Sequence, residues 1–448
     1  MGKKVLIVGG GPAGCAAGAT FGMRGDDVTI VDMREDLRIR NGGPGPEQRS
    51  INLALSTRGL TALDAIGCGD GARELGVPMH GREVHALDGS TQFQQYGQFG
   101  QYLLSVPRSA LNELVIDAAE KNGCQVLFGH KCRDLSLDEP SVTVEVGQGT
   151  ERKLQADLVI GADGAFSRVR AMMMRKEWFN YSQDYIPAAY KELSISAENG
   201  KDMRLEALHI WPRHQFMLIA LPNLDRSFTC TLFLDRDQFD KITTPAQVRE
   251  FFQKWFPDAL ELMPDVDVQF FNNPTPGLVT VKTYPYHYSD KALLIGDAAH
   301  AIVPFYGQGC NLALEDVRIL SDLLEEHGGI LSSVLREFTE KRKQNADTIA
   351  KLALDNYSDM ASRTASAYFQ MRKKIGLALN RIAPKTFVPL YTMISFSNVP
   401  YSEAEQSAQR TERAITSLFS TAAVLSVLAA GTAATVAAVK TYQKSTRS

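Results

Sequence analysis

The chain has 448 residues, with 48 Lys+Arg against 51 Asp+Glu for a formal charge of −3, and a composition that is 44% apolar and 22% charged. At roughly 150 residues per domain this is material for about three structural units with sizeable cores, which excludes a peptide hormone or a small stapled domain. The near-neutral balance excludes a nucleic-acid-coating protein, and the apolar content excludes wholesale disorder.

Lys3–Val8 is an apolar run, Ala13–Met23 carries small residues at helical spacing, and Val28–Val31 is a second apolar run. That pattern predicts strand, helix, strand, with the two strands parallel and the helix crossing over between them. The N-terminus enters the first strand without the regions of a secretory signal, which predicts a cytosolic body. At the turn, Gly9-Gly10-Gly11-Pro12-Ala13-Gly14 fits G-x-G-x-x-G in the context the motif requires. Gly9 permits the tight turn, Gly11 lets backbone approach a pyrophosphate, and Gly14 lets helix and strand come close. Asp32, at the end of the second strand, is placed to accept hydrogen bonds from ribose hydroxyls, with Arg34 two residues on. An acid there argues for FAD or NAD over NADP at this first site.

Further along, Asp157–Gly164 (DLVIGADG) predicts a buried strand ending in a turn. From Pro187 to Lys282 alternating runs at Ala207–Trp211, Gln215–Leu221 and Ser227–Leu234 predict half-buried antiparallel strands of a second domain. Ala292–Ile295 is another buried strand, ending in Gly296-Asp297, and a helix pattern starts near Gly309 and runs to Leu324. The pattern stays helical from Ser321 to about Asn380, then is broken by Pro384, Pro389 and Pro400. No charge occurs from Ala414 to Val439, and Arg410 and Arg413 before it match Lys440, Lys444 and Arg447 after it. The stretch exceeds the roughly 20 residues a helix needs to cross a bilayer, and it is expected to be a membrane anchor. The cysteines Cys15, Cys68, Cys124, Cys132, Cys230 and Cys310 form no C-x-x-C pair and no cluster with histidine, so reduced thiols and no metal site are expected.

The trio of G-x-G-x-x-G, Asp163-Gly164 and Gly296-Asp297-Ala298-Ala299-His300, followed by Pro304 and Gly307-Gln308-Gly309, resembles the single-component FAD-dependent aromatic hydroxylases. The resemblance implies FAD as cofactor and NADPH as co-substrate, with Asp297 on the ribitol and Asp163 serving flavin and pyridine nucleotide. It adds Ala54, Arg108, Gly309, Cys310 and Asn311 as residues lining the flavin, beside Gly9, Gly11, Gly14, Asp32 and Arg34. His300 is expected to make a structural hydrogen bond. The implied fold class is α/β, α+β overall. A doubly wound FAD-binding domain (1–72, 105–178 and 283–325) is joined to a mostly antiparallel substrate domain (73–104 and 179–282). A helical region (326–407), a transmembrane helix (414–439) and a basic tail (440–448) complete it.

Arg49–Ser56, Tyr190–Leu193, Leu208–Pro212 and Ala220–Leu234 resemble one branch of that family, which hydroxylates L-kynurenine with NADPH and O2. By this resemblance Arg82 clamps the substrate carboxylate, Tyr96 gives a second contact, Phe305 forms an aromatic wall, and Asn356 and Tyr391 close the pocket. Tyr306 and Cys310 depart from the residues usual at their positions. No protein acid or base is assigned. Eukaryotic members of the branch carry a C-terminal membrane segment, so the resemblance implies a mitochondrial outer-membrane protein with its catalytic body facing the cytosol. No nucleic-acid partner is expected, and the oligomeric state is left open, a homodimer included. Three other readings stay open: another FAD-dependent aromatic or quinone-pathway hydroxylase, a non-turnover FAD-binding membrane scaffold, and an NAD-dependent dehydrogenase.

Overall fold

Valine, leucine and isoleucine runs with no polar alternation fold as strands covered on both faces, and four of them make the centre of this molecule. The computed structural model describes residues 2–39, 51–97, 99–147, 149–362 and 387–416. Its first sheet has the order His287–Tyr288, Ala292–Leu294, Leu158–Gly161, Lys4–Val8, Asp27–Val31, Gln125–Leu127. All neighbours are parallel except the edge pair His287–Tyr288 and Ala292–Leu294. Helix Pro12–Met23 packs between helices Arg108–Lys121 and Gly309–Glu326. A separate antiparallel sheet is built from His130–Ser136, Ser141–Val146 and Thr150–Gln155. Segments far apart in the chain thus share one core, in which Ile7, Ile30, Ile160, Leu293 and Leu320 are fully buried.

A seven-stranded sheet forms the second body, in the order Gly277–Tyr284, Asn180–Ile195, Phe228–Asp235, Phe216–Pro222, Ala207–Arg213, Gly81–His85, Thr91–Gln95. Period-two alternation divides the faces of its Ala207–Arg213 strand, while Phe228–Asp235 is buried on both faces. Ala207, His209, Trp211 and Arg213 are buried, and Trp211 belongs to a core with Phe252, Phe256 and Phe270 from the helices after Pro245. Leu208 and Ile210 point the other way, half-buried. On that second face Arg82 pairs with Leu208, Ile210 with Ile219, and Ile219 with Thr231, while Met217, Phe233 and Tyr190 line up one step along. A short sheet of Asn52–Leu55, Leu103–Pro107 and Val77–Met79 joins the two bodies. Its buried Asn52 bridges them, with Nδ2 donating to Ser105 Oγ (3.0 Å), to the Pro222 carbonyl (3.2 Å) and to Asn223 Oδ1 (2.8 Å).

Helices close the site from above: Gly309–Glu326, the long Leu331–Ser362, the short Leu390–Phe396, and a helix over 401–416. The structure does not bear out the expected transmembrane helix. Among the described residues no helix is long and apolar enough to cross a membrane. The helix over 401–416, into which Ala414 falls, carries Glu403, Glu405, Arg410, Glu412 and Arg413, and such charges are costly inside a bilayer. The rest of the stretch to Val439, and the basic tail, lie outside the described residues.

Candidate active site

The glycine turn is a cradle by exclusion of side chains. Gly9 has φ +109°, and a Cβ on it would meet the Ala162 carbonyl oxygen at 2.4 Å. One on Gly14 would sit 1.9 Å from the Gly9 carbonyl oxygen, whereas one on Gly11 would meet nothing within 4 Å. Backbone is thus tightly stacked around Gly9 and Gly14, while space is left in front of Gly11, where the first turn of helix Pro12–Met23 offers free N–H groups to an anion. Asp32 is buried and accepts from Gly10 N–H (2.7 Å), and Arg34 grips it through Nε (3.0 Å) and Nη2 (2.8 Å). Burial pushes the Asp32 pKa up, but the Arg34 and Gly10 hydrogen bonds outweigh it and hold the carboxyl below its usual range.

Asp163 and Asp297 stand at neighbouring strand ends but in different states. Asp163 Oδ2 accepts from the N–H groups of Arg168 (2.6 Å) and Val169 (3.2 Å), capping the helix that follows. Its Oδ1 is buried and makes no hydrogen bond of normal geometry, and burial pushes its pKa up against the pull of those donors. Asp297 is exposed, with no hydrogen bond or ion pair among the described residues. Gly296 before it (φ +58°) is close enough to Ala13 that a Cβ would lie 3.4 Å from the Ala13 Cβ, which brings the Gly-Asp turn against the glycine cradle.

The third wall is the turn Pro304–Tyr306, Gly307 at φ +65°, and the start of helix Gly309–Glu326. Cys310 feels the charges of both Arg108 and Asp297, and burial pushes its thiol up to about 12, so it stays protonated. Asn311 spends its whole side chain on backbone: Oδ1 accepts from Ser56 N–H (2.8 Å) and Nδ2 donates to Ala54 O (2.9 Å) and Gly307 O (2.9 Å). It therefore fixes Ala54 against the helix start, and contact with a cofactor falls to its backbone. Arg108 is exposed at the head of helix Arg108–Lys121, and its charge reaches Cys310, Tyr190 and Glu192. The residues present fit FAD: a pyrophosphate cradle, an anionic ribose acceptor, an orphaned buried Asp163 oxygen and an unpartnered Asp297 converge on one side of the parallel sheet. These features define a flavoprotein.

The residues expected to hold substrate fall into two joined clusters. Arg82 is half-buried, with its guanidinium carbon 5.2 Å from the Tyr391 ring centroid and 5.7 Å from that of Tyr96. The acids next to it in sequence are engaged elsewhere, Glu83 with Arg204 (2.8 Å) and Asp88 with Ser90 (2.7 Å), and Arg82 has no carboxylate partner among the described residues. Tyr96 is buried, its hydroxyl makes no hydrogen bond of normal geometry, and burial raises its pKa well above the ordinary value, leaving it a donor. Tyr391 also touches Tyr306 (5.9 Å) and Phe396 (6.1 Å). In the second cluster Phe305 stacks on Tyr357 (4.8 Å) and meets Phe233 (5.2 Å), and Asn356 Nδ2 donates to the Phe305 carbonyl (2.6 Å). Asn356 thus holds the wall rather than facing away from it.

Sequence reasoning passed over a buried ionic network behind this site. Arg58 meets Glu315 (2.6 Å), Glu315 meets Arg342 (2.8 Å), Arg342 meets Asp316 (2.7 Å), and Asp316 accepts from Gly296 N–H (2.8 Å) and bonds His300 Nε2 (2.7 Å). His300 is therefore tied structurally to the Gly-Asp turn. The signal was available in the acidic pair Glu315-Asp316 inside the apolar helix stretch LALEDVRIL, since such acids are buried only when paired.

Residues 3–353 match the FAD binding domain family. The chain is 43% identical over 409 residues to kynurenine 3-monooxygenase of Flavobacterium johnsoniae, covering 90% of each chain. It is 40% identical over 406 residues to kynurenine 3-monooxygenase of Sus scrofa, covering 90% of this chain and 85% of that one. In fold it resembles a solved 2-methyl-3-hydroxypyridine-5-carboxylic acid oxygenase, with a TM-score of 0.67 at 20% identity over 82% of this chain and 94% of that one. The chain belongs to the FAD-dependent monooxygenases, in the kynurenine 3-monooxygenase family.

Proposed function

We propose that this flavoprotein monooxygenase hydroxylates the aromatic ring of L-kynurenine, with NADPH and dioxygen as co-substrates, giving 3-hydroxykynurenine and water. The observation that carries this reading is Arg82, a half-buried guanidinium with no acid partner among the described residues, set beside the contacting rings of Tyr96 and Tyr391. A guanidinium shielded in part from water is stabilised by a counter-ion, and an amino-acid carboxylate supplies one in bidentate geometry. Tyr96 Oη–H donates to the same carboxylate. The substrate's aminophenyl ketone lies over the apolar face of the seven-stranded sheet, on Ile219, Leu221 and Phe233, with Phe305 beside it.

FAD, when bound, takes electrons from NADPH and activates dioxygen for transfer to the ring. The turn shaped by Gly9 and Gly14 would hold its pyrophosphate in front of Gly11, Asp32 would hold its ribose and Asp297 its ribitol, and the free N–H groups at the start of helix Gly309–Glu326 would favour negative charge on its ring system. The chain's own work is orientation and exclusion of water. The ring amine of the substrate is itself the electron donor, so no strong protein base is required. The test is to give the FAD-loaded protein NADPH and L-kynurenine and follow NADPH loss together with product mass. One product molecule, heavier by one oxygen atom, per NADPH supports the reading, and a flavin-loaded protein idle with kynurenine overturns it.

A further inference from the structure

Arg58 is fully buried near the start of helix Thr57–Ala65, directly after the strand that carries Ala54. Its three nitrogens point three ways. Nη1 pairs with Glu315 Oε1 at 2.6 Å, Nε donates to the Ile394 carbonyl at 3.0 Å, and Nη2 donates to the Val399 carbonyl. Its guanidinium carbon lies 3.9 Å from the centroid of the Tyr401 ring, and the Tyr401 hydroxyl donates to Gln308 Oε1 at 3.0 Å. Ile394 belongs to helix Leu390–Phe396, the helix that presents Tyr391 to Arg82. Glu315 belongs to the helix that begins at Gly309 beside the cofactor cradle. A single side chain therefore joins the segment closing the substrate's amino-acid end to the helix facing the cofactor. Among the described residues Arg58 makes no hydrogen bond, ion pair or ring contact with those assigned to substrate.

We propose that Arg58 is a positioning residue for the amino-acid end of the substrate: by holding the Ile394 and Val399 carbonyls from an anchor on Glu315, it sets Tyr391 against Arg82. The inference rests on the reading of Arg82, Tyr96 and Tyr391 as the carboxylate site. A planar fork can satisfy Glu315 and two carbonyls at once, and a lysine ammonium cannot reproduce that geometry. The rest of the network, Arg342 and Asp316 out to Gly296 N–H, keeps Glu315 fixed, so the anchor does not drift with the closing segment.

The test uses the full-length, FAD-loaded protein and two ligands, read by perturbation of the bound flavin's absorbance. L-Kynurenine carries the amino-acid end, and 2-aminoacetophenone is the same aminophenyl ketone without it. R58K keeps the charge beside Glu315 but loses the fork. It is expected to weaken kynurenine binding about tenfold while leaving 2-aminoacetophenone binding and FAD content near wild type, with a lower unfolding midpoint because the buried Ile394 carbonyl and the Val399 carbonyl lose their donors. Glu315→Gln keeps an acceptor near Arg58 but removes the charge that anchors it; it also takes a counter-ion from buried Arg342, so it should show the same ligand-selective loss of kynurenine binding together with a lower unfolding midpoint. Equal weakening of both ligands would mean a general loosening and overturn the proposal, as would kynurenine binding unchanged in both variants. Wild-type protein that binds no kynurenine would instead overturn the functional reading itself.

Discussion

Arg82 illustrates how much of the site's chemistry rests on single side chains whose partners are missing. Its sequence neighbours Glu83 and Asp88 could each have neutralised it, and the fold sends both elsewhere. Charge-assisted hydrogen bonds contribute roughly 1.5–3 kcal/mol each. Arg82→Ala is accordingly expected to lower kcat/KM for kynurenine by about ten- to a hundredfold, chiefly through KM, and steady-state kinetics will measure it. Unchanged kinetics would remove Arg82 from the substrate site. Gly14 is the opposite case, a residue whose role is to have no side chain. A methyl there would lie 1.9 Å from the Gly9 carbonyl oxygen, closer than any real contact, so the cradle must open. Gly14→Ala is expected to purify without FAD, which the absorbance spectrum reports directly.

At the scale of elements, the strands Gly81–His85 and Ala207–Arg213 are joined on the side away from substrate by a chain of polar rings. His85 Nδ1 meets Asp258 Oδ2 at 3.0 Å, its Nε2 meets His209 Nδ1 at 2.9 Å, and His209 Nε2 meets the Arg204 carbonyl at 2.8 Å. Trp211 Nε1 donates to the same Asp258 oxygen at 2.7 Å. Burial, aided by the neighbouring His85, pushes the His209 pKa from 6.5 down to about 4. The unfolded chain therefore takes up a proton on this histidine near pH 6.5, while the folded chain resists until about pH 4. Stability contributed by the neutral form is complete above pH 6.5 and is lost as pH falls through that window, on the order of 3 kcal/mol. His209→Gln should show a flatter fall of the unfolding midpoint between pH 6.5 and 4 than wild type, and parallel curves would show that His209 does not govern the acid side. The strand that carries Arg82 on one face is thus braced on the other by the same chain of rings.

For the molecule as a whole, the cofactor cradle is assembled from separate stretches of chain: the glycine turn, Asp163, Gly296-Asp297 and the start of helix Gly309–Glu326. A ligand that binds only when all are in place stabilises the folded state by mass action, about 2.7 kcal/mol at a free concentration one hundred times Kd. Apoprotein is expected to unfold at lower temperature than holoprotein, with FAD raising the midpoint in a dose-dependent manner and having no effect on Gly14→Ala. Calorimetry with and without FAD will decide this, and equal midpoints would show that these segments are held together without the cofactor.

The legible part of the site was local in sequence. Gly9 to Gly14 and Asp32 lie within one strand-helix-strand unit, where a short-range pattern carries both the conformation and the chemistry. Alternation in Ala207–Trp211 announced a half-buried strand for the same reason, since a period of two is a local property, but Phe228–Asp235 is buried on both faces, and Ala207–Arg213 pairs antiparallel with Phe216–Pro222 and parallel with Gly81–His85. What the sequence could not show was long-range pairing. That Arg82 would lack an acid, that Asn311 would spend its amide on Ala54 and Ser56, and that Asn356 would hold the Phe305 carbonyl all depend on contacts between residues distant in sequence. The uncharged stretch from Ala414 to Val439 was read as an anchor from its length, flanking charges and family resemblance, and among the described residues no helix is long and apolar enough to cross a membrane. Sequence by itself determined that a dinucleotide is held at the N-terminal strand-helix turn, because a phosphate loop is written in consecutive residues. Only the tertiary structure decided which charges remain free to meet a substrate, because neutralisation is a matter of distance in space.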